Sequence, residues 1–596
     1  MLKQLIHDGI LVPQILLPSH MELVIRGERR ALSPRQMEMA LAWAKKLGTP
    51  YVEDSTFARN FMHDFSAELG VSPPLKVEEV DFGPVSRIVQ AERAAREQLT
   101  REERKVLAAQ RKEKREQLKE QYGYAIVDDD LVEIGGYVAE PSSIFMGRGK
   151  HPLRGKWKQG PRQSDITLNL SPDADAPPGD WAEIVWQPES LWVARWKDKL
   201  SGKLKYVWLS DTAPIKQERE AAKFNQAVKL DENLDKVRAH IEQGLTDSNS
   251  KRRMVATACY LIDALCLRVG DEKDADEADT VGATTLRPEH ITLHPDGTAE
   301  FRFLGKDSVL WHKKIELPAV VQQNLAELVR NARPPTSGGV NRPARNRPRL
   351  FPRISSSDVN AYLTEVLPDV TAKVFRTHHA TQAVRDSLAT CGITAGDLEH
   401  KKWSAVSLAN LEAAVLCNHY KTAPASWRER RQRANERRAK RKERVAICRD
   451  QVREARDALP ALRVEAREKK EAAKTKTKVQ RDRTKVRYDK KIERAKKKVE
   501  TAKNRLERAR LALDKAKTKD AVTVKKRTWN LGTSLKSYID PRVFHEWGER
   551  VDYDVLERYY PKTLRSKFAW VRGREQPDSS QEEAVPGDEA ASQADV

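Results

Sequence analysis

The stretch IERAKKKVETAKNRLERARLALDKA, residues 492–516, decides how this chain is organised. Its composition is that of a solvated spacer. Yet Ile492, Ala495, Val499, Ala502, Leu506, Ala509, Leu513 and Ala516 recur at alternating steps of three and four, which is a heptad seam. Val445, Cys448, Val452, Ala455, Leu459, Leu462 and Ala466 make a second seam upstream. The polar stretch EKKEAAKTKTKVQRDRTK (468–485) separates the two. Two seams joined by a polar link read as an antiparallel helical hairpin. The apolar stripe is thin and Ala-rich, so the pair is expected to be mobile. Pro460 lies inside the first seam and is expected to kink it. At about 1.5 Å per residue each helix reaches roughly 50–60 Å.

The hairpin also holds the charge. Of 596 residues, 39% are apolar and 33% charged, and the formal net charge is +22. Residues 428–519 contain 37 Lys and Arg against 15 Asp and Glu, so the whole excess lies there. Elsewhere acidic and basic residues balance, and an anion can be bound only by sorting charge onto one face. This composition points to a polyanionic partner, nucleic acid before a membrane surface. No run of about 18 apolar residues is present to span a bilayer. MLKQLIHDGILVPQILLPSH (1–20) is interrupted by His7, Asp8 and Pro13 and does not read as a secretory signal. Cys259, Cys266, Cys391, Cys417 and Cys448 form no CxxC pair. That fits a reducing interior and offers no zinc site.

Beyond the arm comes LGTSLKSYIDPR (531–542), a turn-rich segment carrying Tyr538. A small domain on the far end of a long charged arm implies that the arm folds back toward the rest. Upstream, residues 1–104 mix strands (MELVIRG) with amphipathic helices (SPRQMEMALAWAKKLG). A charged helical stretch, 91–123, then leads to strand-like DWAEIVWQP, LWVARWKD and LKYVWLS. Between them lies SIFMGRGKHPLRGKWKQGPR (143–162), whose glycines allow close backbone approach and whose Arg and Lys suit an anion-contacting loop. From about 212 the chain turns helical. Arg252–Arg268 is apolar almost all round, the mark of a buried helix. It ends in Arg268, whose plainest reading is a pair with Asp271 or Glu272. Three strands follow, HITLH, AEFRFLG and VLWHKKIEL, with turns at PDG (295–297) and GKDS (305–308). Lys306 therefore sits at a hairpin tip, where a solvated lysine is ordinary. Two further helices, TAKVFRTHHATQAVRDSLATCG and LANLEAAVLCNHYKTAP, carry Arg376, His378, His379 and His419.

Taken singly these residues say little. Taken together, in the order Arg, Lys, Arg, His, Tyr, they describe one kind of chemistry. Two guanidiniums offer bidentate donors to phosphate oxygens. An imidazole adds a donor, and an ammonium can give up a proton. A tyrosine hydroxyl is a potential nucleophile once its ordinary pKa of about 10 is lowered or a base assists. With no metal-ligand cluster and no Gly-rich nucleotide loop, the set suits metal-independent attack of tyrosine on a phosphodiester. The phosphotyrosine ester formed has similar energy to the bond broken, so the step needs no ATP and no cofactor.

IFMGRGKHP, LGKDS, KVFRTHHA, AAVLCNH, LGTSLKSYIDPR and the closing KFAW, in this order, resemble eukaryotic-type DNA topoisomerase I, the type IB family. The resemblance covers most of residues 1–572. It implies an α+β multidomain clamp on double-stranded DNA, acting as a monomer. Residues 1–211 would be a mixed α/β N-terminal DNA-binding core, the cap, with 20–104 as a subdomain. Residues 212–422 would be a mostly helical catalytic subdomain with a small antiparallel sheet. A basic antiparallel coiled-coil linker would span 423–527, a small C-terminal helical domain 528–575 and a disordered acidic tail 576–596. Carried over by position, Tyr538 is the nucleophile, Arg268, Arg376 and His419 hold the phosphate, and Lys306 protonates the leaving 5′ oxygen. Arg148, Lys150, Lys205, Asp307 and Thr533 are DNA contacts.

Ser537 stands where the family has Asn and Tyr420 where it has Gln. The Asn helps hold camptothecin-type poisons, along with residues matching Arg148 and Asp307, so weaker drug stabilisation is expected here. The nucleus is the implied site in a eukaryote, otherwise the cytoplasm or nucleoid. The run RERRQRANERRAKRKER offers a basic signal, and with the sequence starting almost at the cap, targeting by the long charged N-terminal region usual in the family is not expected. Two alternatives stand beside this reading. One is a tyrosine recombinase, which uses a related catalytic set. The other is a non-enzymatic nucleic-acid-binding coiled-coil protein.

Overall fold

The computed structural model describes residues 1–271, 279–332 and 348–573. Glu272, one of the expected partners of Arg268, and the acidic tail lie outside them. The protein is mixed α and β with several small sheets, and it divides into two compact units. The first comprises residues 1–223 and the chain from 561 onward; the second comprises 224–560. Among the described residues no helix is long and apolar enough to cross a membrane.

The first unit has two cores. In one, strand Glu22–Ile25 lies between Glu28–Ala31 and Val80–Asp81 and is covered by helices Pro34–Ala44 and Ser55–Leu69. Ser33 and Gln36 form a capping box with Pro34 at the first helical position, so this start is written locally. Trp43 stacks on Phe61 at 4.6 Å, and both are fully buried. The other core is a four-stranded sheet in the order Glu183–Val185, Ile166–Asn169, Trp192–Lys197, Leu204–Trp208. The strand Ile166–Asn169 was not expected from the sequence. It pairs parallel with Glu183–Val185 and antiparallel with Trp192–Lys197. The charged stretch 91–123 is not one helix but two, Gly83–Gln98 and Arg101–Tyr122. Thr100 accepts from the Glu103 N–H, and the Glu103 carboxylate accepts from the Thr100 N–H. That box opens a new helix after Leu99.

The second unit is built on helix Ser250–Leu265, with Ala256, Ala258, Leu261 and Ile262 fully buried. The expected helix to Arg268 stops three residues earlier, because Cys266 adopts a left-handed φ of 54°. The three strands form as expected, Ile291–Leu293, Thr298–Gly305 and Val309–Glu316, all antiparallel. Gly297 supplies the positive φ of the first turn, and Asp307, at φ 64°, that of the second. Helices Ala372–Thr390 and Glu399–Leu416 follow.

Two long helices, Trp427–Ala472 and Lys478–Lys525, then pack side by side. The ion pairs Lys470–Asp489 at 2.6 Å and Arg431–Asp520 at 3.8 Å fix them as antiparallel. The seam positions Val445, Cys448, Val452, Ala455, Ala466, Val499 and Ala502 are buried among exposed charges. At 46 and 48 residues the helices outrun the seams and reach about 70 Å. The first continues through Pro460, which sits on its exposed side.

Candidate active site

The seven-residue helix Leu531–Ser537 ends at Tyr538, which is buried. The Tyr538 N–H donates to the Ser534 carbonyl at 2.9 Å. The Thr381 hydroxyl donates to the Tyr538 carbonyl at 3.3 Å and accepts from the Asp540 N–H at 3.1 Å. One side chain of the Ala372–Thr390 helix thus grips the backbone immediately after the tyrosine, on both sides of Ile539.

The same helix delivers Arg376, which is 3% exposed. Its Nη1 donates to the Cys266 carbonyl, and Nη2 donates to the Cys417 carbonyl at 2.9 Å. Its guanidinium carbon lies 5.0 Å from the centroid of the Tyr538 ring. The left-handed Cys266 is therefore more than a helix end: it turns a carbonyl onto the arginine. Asn418, just before His419, also takes a left-handed φ, of 53°. Such φ values in residues other than glycine cost about 1–3 kcal/mol each and persist where the surroundings over-determine them.

His419 is buried, with its ring centroid 5.3 Å from that of Tyr538. Its Nδ1 lies 2.9 Å from Ser534 Oγ. The Asn530 N–H donates to the His419 carbonyl at 2.7 Å, and Tyr420 pairs with Trp529, so the chain leaving the long helices returns onto this segment. Arg376 Nε and His419 Nε2 are both buried with no hydrogen-bond partner among the described residues.

Arg268 is half-buried beside these groups. It does not take the plainer pairing with Asp271, whose carboxylate accepts from the Ser356 N–H at 3.1 Å. Burial and the neighbouring Arg376 hold the Arg268 guanidinium below its ordinary value, against a favourable interaction with Tyr538. Burial pushes the Tyr538 phenol up, but Arg376 and Arg268 outweigh it and bring the phenol below its ordinary value. Burial, reinforced by both arginines, pulls the His419 imidazole down to about 3.

Sequence reasoning passed over the residues that hold these groups. Asp263 accepts from Arg238 Nε at 2.8 Å and lies 2.6 Å from His379 Nε2. It thereby ties the Arg376 helix to the buried helix. Ser534 and Thr381 carry no motif signal beyond lying near Tyr538 and Arg376 in sequence.

Lys306 stands apart from this cluster, exposed at the hairpin tip with left-handed Asp307 and Ser308 after it. Asn418 Nδ2 donates to the Leu310 carbonyl at 3.0 Å, which ties the hairpin to the His419 segment. Thr533 and Ser537 are half-buried on the short helix, five residues and one residue before Tyr538. Arg148 and Lys150 are exposed in the first unit, where Gly147 and Gly149 both take positive φ, at 56° and 57°. Lys205 is half-buried in the same unit, 3.9 Å from Glu140.

Known proteins resemble this chain over most of its length. A family profile described as the eukaryotic DNA topoisomerase I DNA binding fragment matches residues 2–209. The profile for the catalytic core of that family matches 212–452, and a C-terminal topoisomerase domain matches 508–579. The chain is 33% identical over 425 residues to DNA topoisomerase 1 of Homo sapiens, 69% of this chain and 53% of that one. It is 32% identical over 442 residues to DNA topoisomerase 1 of Candidozyma auris, 72% of this chain and 56% of that one. It is 31% identical over 445 residues to the mitochondrial DNA topoisomerase I of Pan troglodytes, covering 72% of this chain and 71% of that one. The chain belongs to the eukaryotic DNA topoisomerase I family. It spans about half the length of the Homo sapiens and Candidozyma auris relatives.

Proposed function

We propose that this protein is a type IB DNA topoisomerase that relaxes duplex DNA without ATP or a required metal. The observation that carries the reading is the convergence of Arg268, Arg376 and His419 on Tyr538, with two buried polar atoms left for a ligand. Among the described residues no carboxylate is a leading influence on Tyr538, Arg268 or His419, so the cluster suits an anion. A phosphodiester supplies one.

In the reaction, the Tyr538 oxygen attacks phosphorus as its proton passes to solvent water. The bond from phosphorus to the 5′ oxygen breaks, and that oxygen takes a proton from Lys306. A 3′-phosphotyrosyl link remains while the freed strand rotates. The same steps in reverse reseal it. Arg268, Arg376 and the His419 Nε2–H meet the charge that develops on the phosphoryl oxygens. With the imidazole pulled down to about 3, His419 works neutral. In this reading the Ser534 hydroxyl, 2.9 Å from Nδ1, donates to it and keeps the ring proton on Nε2, where the phosphate needs it.

The domains follow the division 1–211, 212–422, 423–527 and 528–575, acting as a monomer that clamps duplex DNA. The two long helices are the linker, their positive charge lying near the phosphate backbone. Arg148, Lys150, Lys205, Asp307 and Thr533 contact DNA, and Ser537 weakens camptothecin-type poisons. The protein works inside the cell, in the nucleus where the host has one.

Incubated with supercoiled plasmid, EDTA and no nucleotide, the protein should yield relaxed topoisomers, with a steep salt dependence. An absolute need for metal or ATP, or sequence-specific strand exchange in place of relaxation, overturns the reading. Ser534→Ala should slow single-turnover cleavage by about 2- to 13-fold, the worth of one net hydrogen bond. Cleavage at the wild-type rate would remove Ser534 from the site.

A further inference from the structure

Lys313 belongs to none of the groups above. It lies in strand Val309–Glu316, opposite Phe301, on the face that carries Trp311 and Ile315 toward the core. The flanking His312 and Lys314 are exposed, and each has a carboxylate: His312 pairs with Glu300 at 2.6 Å and Lys314 with Asp296 at 3.6 Å. Lys313 has neither a carboxylate nor a hydrogen-bond acceptor among the described residues. Its ammonium lies 5.3 Å from the Trp311 ring centroid; burial holds it below its ordinary value, and Cys266, Cys417 and Arg376 are near enough to act on it electrostatically. Those cysteines are the two whose carbonyls hold Arg376. The Asn418 bond to Leu310 closes this strand onto the same segment.

Three cations, Arg268, Arg376 and Lys313, are thus gathered in a partly buried space. An unpaired ammonium taken from water costs free energy unless an anion compensates it. Arg376 is held by two carbonyls, and the Lys313 charge is near enough to act on its guanidinium. We propose that Lys313 is a positioning residue of the phosphate site, whose charge biases Arg376 toward the scissile phosphate and adds to the field that stabilises the attacked phosphoryl group. The inference rests on the topoisomerase reading, since it needs a phosphodiester beside Arg376.

The proposal separates charge from packing. Methionine has the length of the lysine stem without the charge, and arginine keeps the charge. The experiment is single-turnover cleavage of a nicked suicide duplex by the full chain, together with thermal melts, for wild type, Lys313→Met, Lys313→Arg and Tyr538→Phe. Lys313→Met should cleave about tenfold more slowly, the scale of one charge contact in a site of intermediate dielectric. Its melting temperature should equal or exceed that of wild type, because an unpaired buried charge has gone. Lys313→Arg should stay near the wild-type rate. The proposal is overturned if Lys313→Met cleaves like wild type, if it melts lower, or if Lys313→Arg is equally slow. The topoisomerase reading fails separately, by an absence of covalent adduct in wild type.

Discussion

Tyr538→Phe should leave a folded, DNA-binding protein that forms no covalent adduct and relaxes no plasmid. The substitution removes one oxygen. The ring keeps its contacts with the Arg376 guanidinium at 5.0 Å and with His419 at 5.3 Å. The grip of Thr381 on the backbone is untouched, because it uses the Tyr538 carbonyl and the Asp540 N–H. Stability should therefore change by less than about 1 kcal/mol, within the range of mild substitutions. The rate should fall to background, since no other described side chain shares the place of the phenol between the two arginines. The measurement is denaturant-trapped adduct on nicked DNA beside a binding isotherm and a melt. Adduct at the wild-type level in the Phe variant would move the nucleophile elsewhere. The wild-type pH profile adds a second check. Burial opposes ionisation of the phenol, but Arg376 and Arg268 outweigh it. Cleavage should rise with pH and level off below about 10, the range of a free phenol. A plateau reached only above that range would mean that the arginines do not act on Tyr538.

Much of this site was legible in the sequence because its parts sit at the ends of strongly patterned elements. The apolar run 255–267 announces a buried helix, PDG and KDS announce two turns, and the heptads announce the long helices. What was not legible depends on partners far away in sequence. The apolar run continues through Leu267, so the helix was read to Arg268. The real end at Cys266 is set by Arg376, which takes the Cys266 carbonyl and holds a residue other than glycine in a left-handed conformation. Proline at 460 signals a break locally, yet the helix runs on, because the ring lies on the exposed side while Ala455 and Ala466 stay in the seam. The break at Leu99 was a different failure, since Thr-x-x-Glu is a local signal and was passed over in a stretch that reads as helix throughout. Lys313 shows the limit most plainly. In HKK, three basic residues look alike, and only the strand register tells which one turns inward.

Lys306→Ala should slow cleavage by about 10²–10⁴-fold, the usual worth of a positioned proton donor. Lys306 is exposed at the tip of a tight turn, so no core contact explains its presence and its loss should not disturb folding. The turn itself is costly. Asp307 and Ser308 both hold left-handed φ, at 64° and 57°, conformations that residues with a Cβ avoid. A hairpin needing only a reversal of the chain can make it with glycine at no such cost. The strain is therefore better understood as fixing the direction in which Lys306 leaves the sheet, and Asn418 fixes the strand that follows. If the lysine delivers a proton to the leaving 5′ oxygen, its absence matters only while that oxygen is a poor leaving group. A 5′-bridging sulfur leaves without protonation. On such a substrate Lys306→Ala should cleave at nearly the wild-type rate, while Tyr538→Phe remains inactive on both. Equal losses on the oxygen and sulfur substrates would assign Lys306 to DNA binding at the turn and leave the proton to another donor.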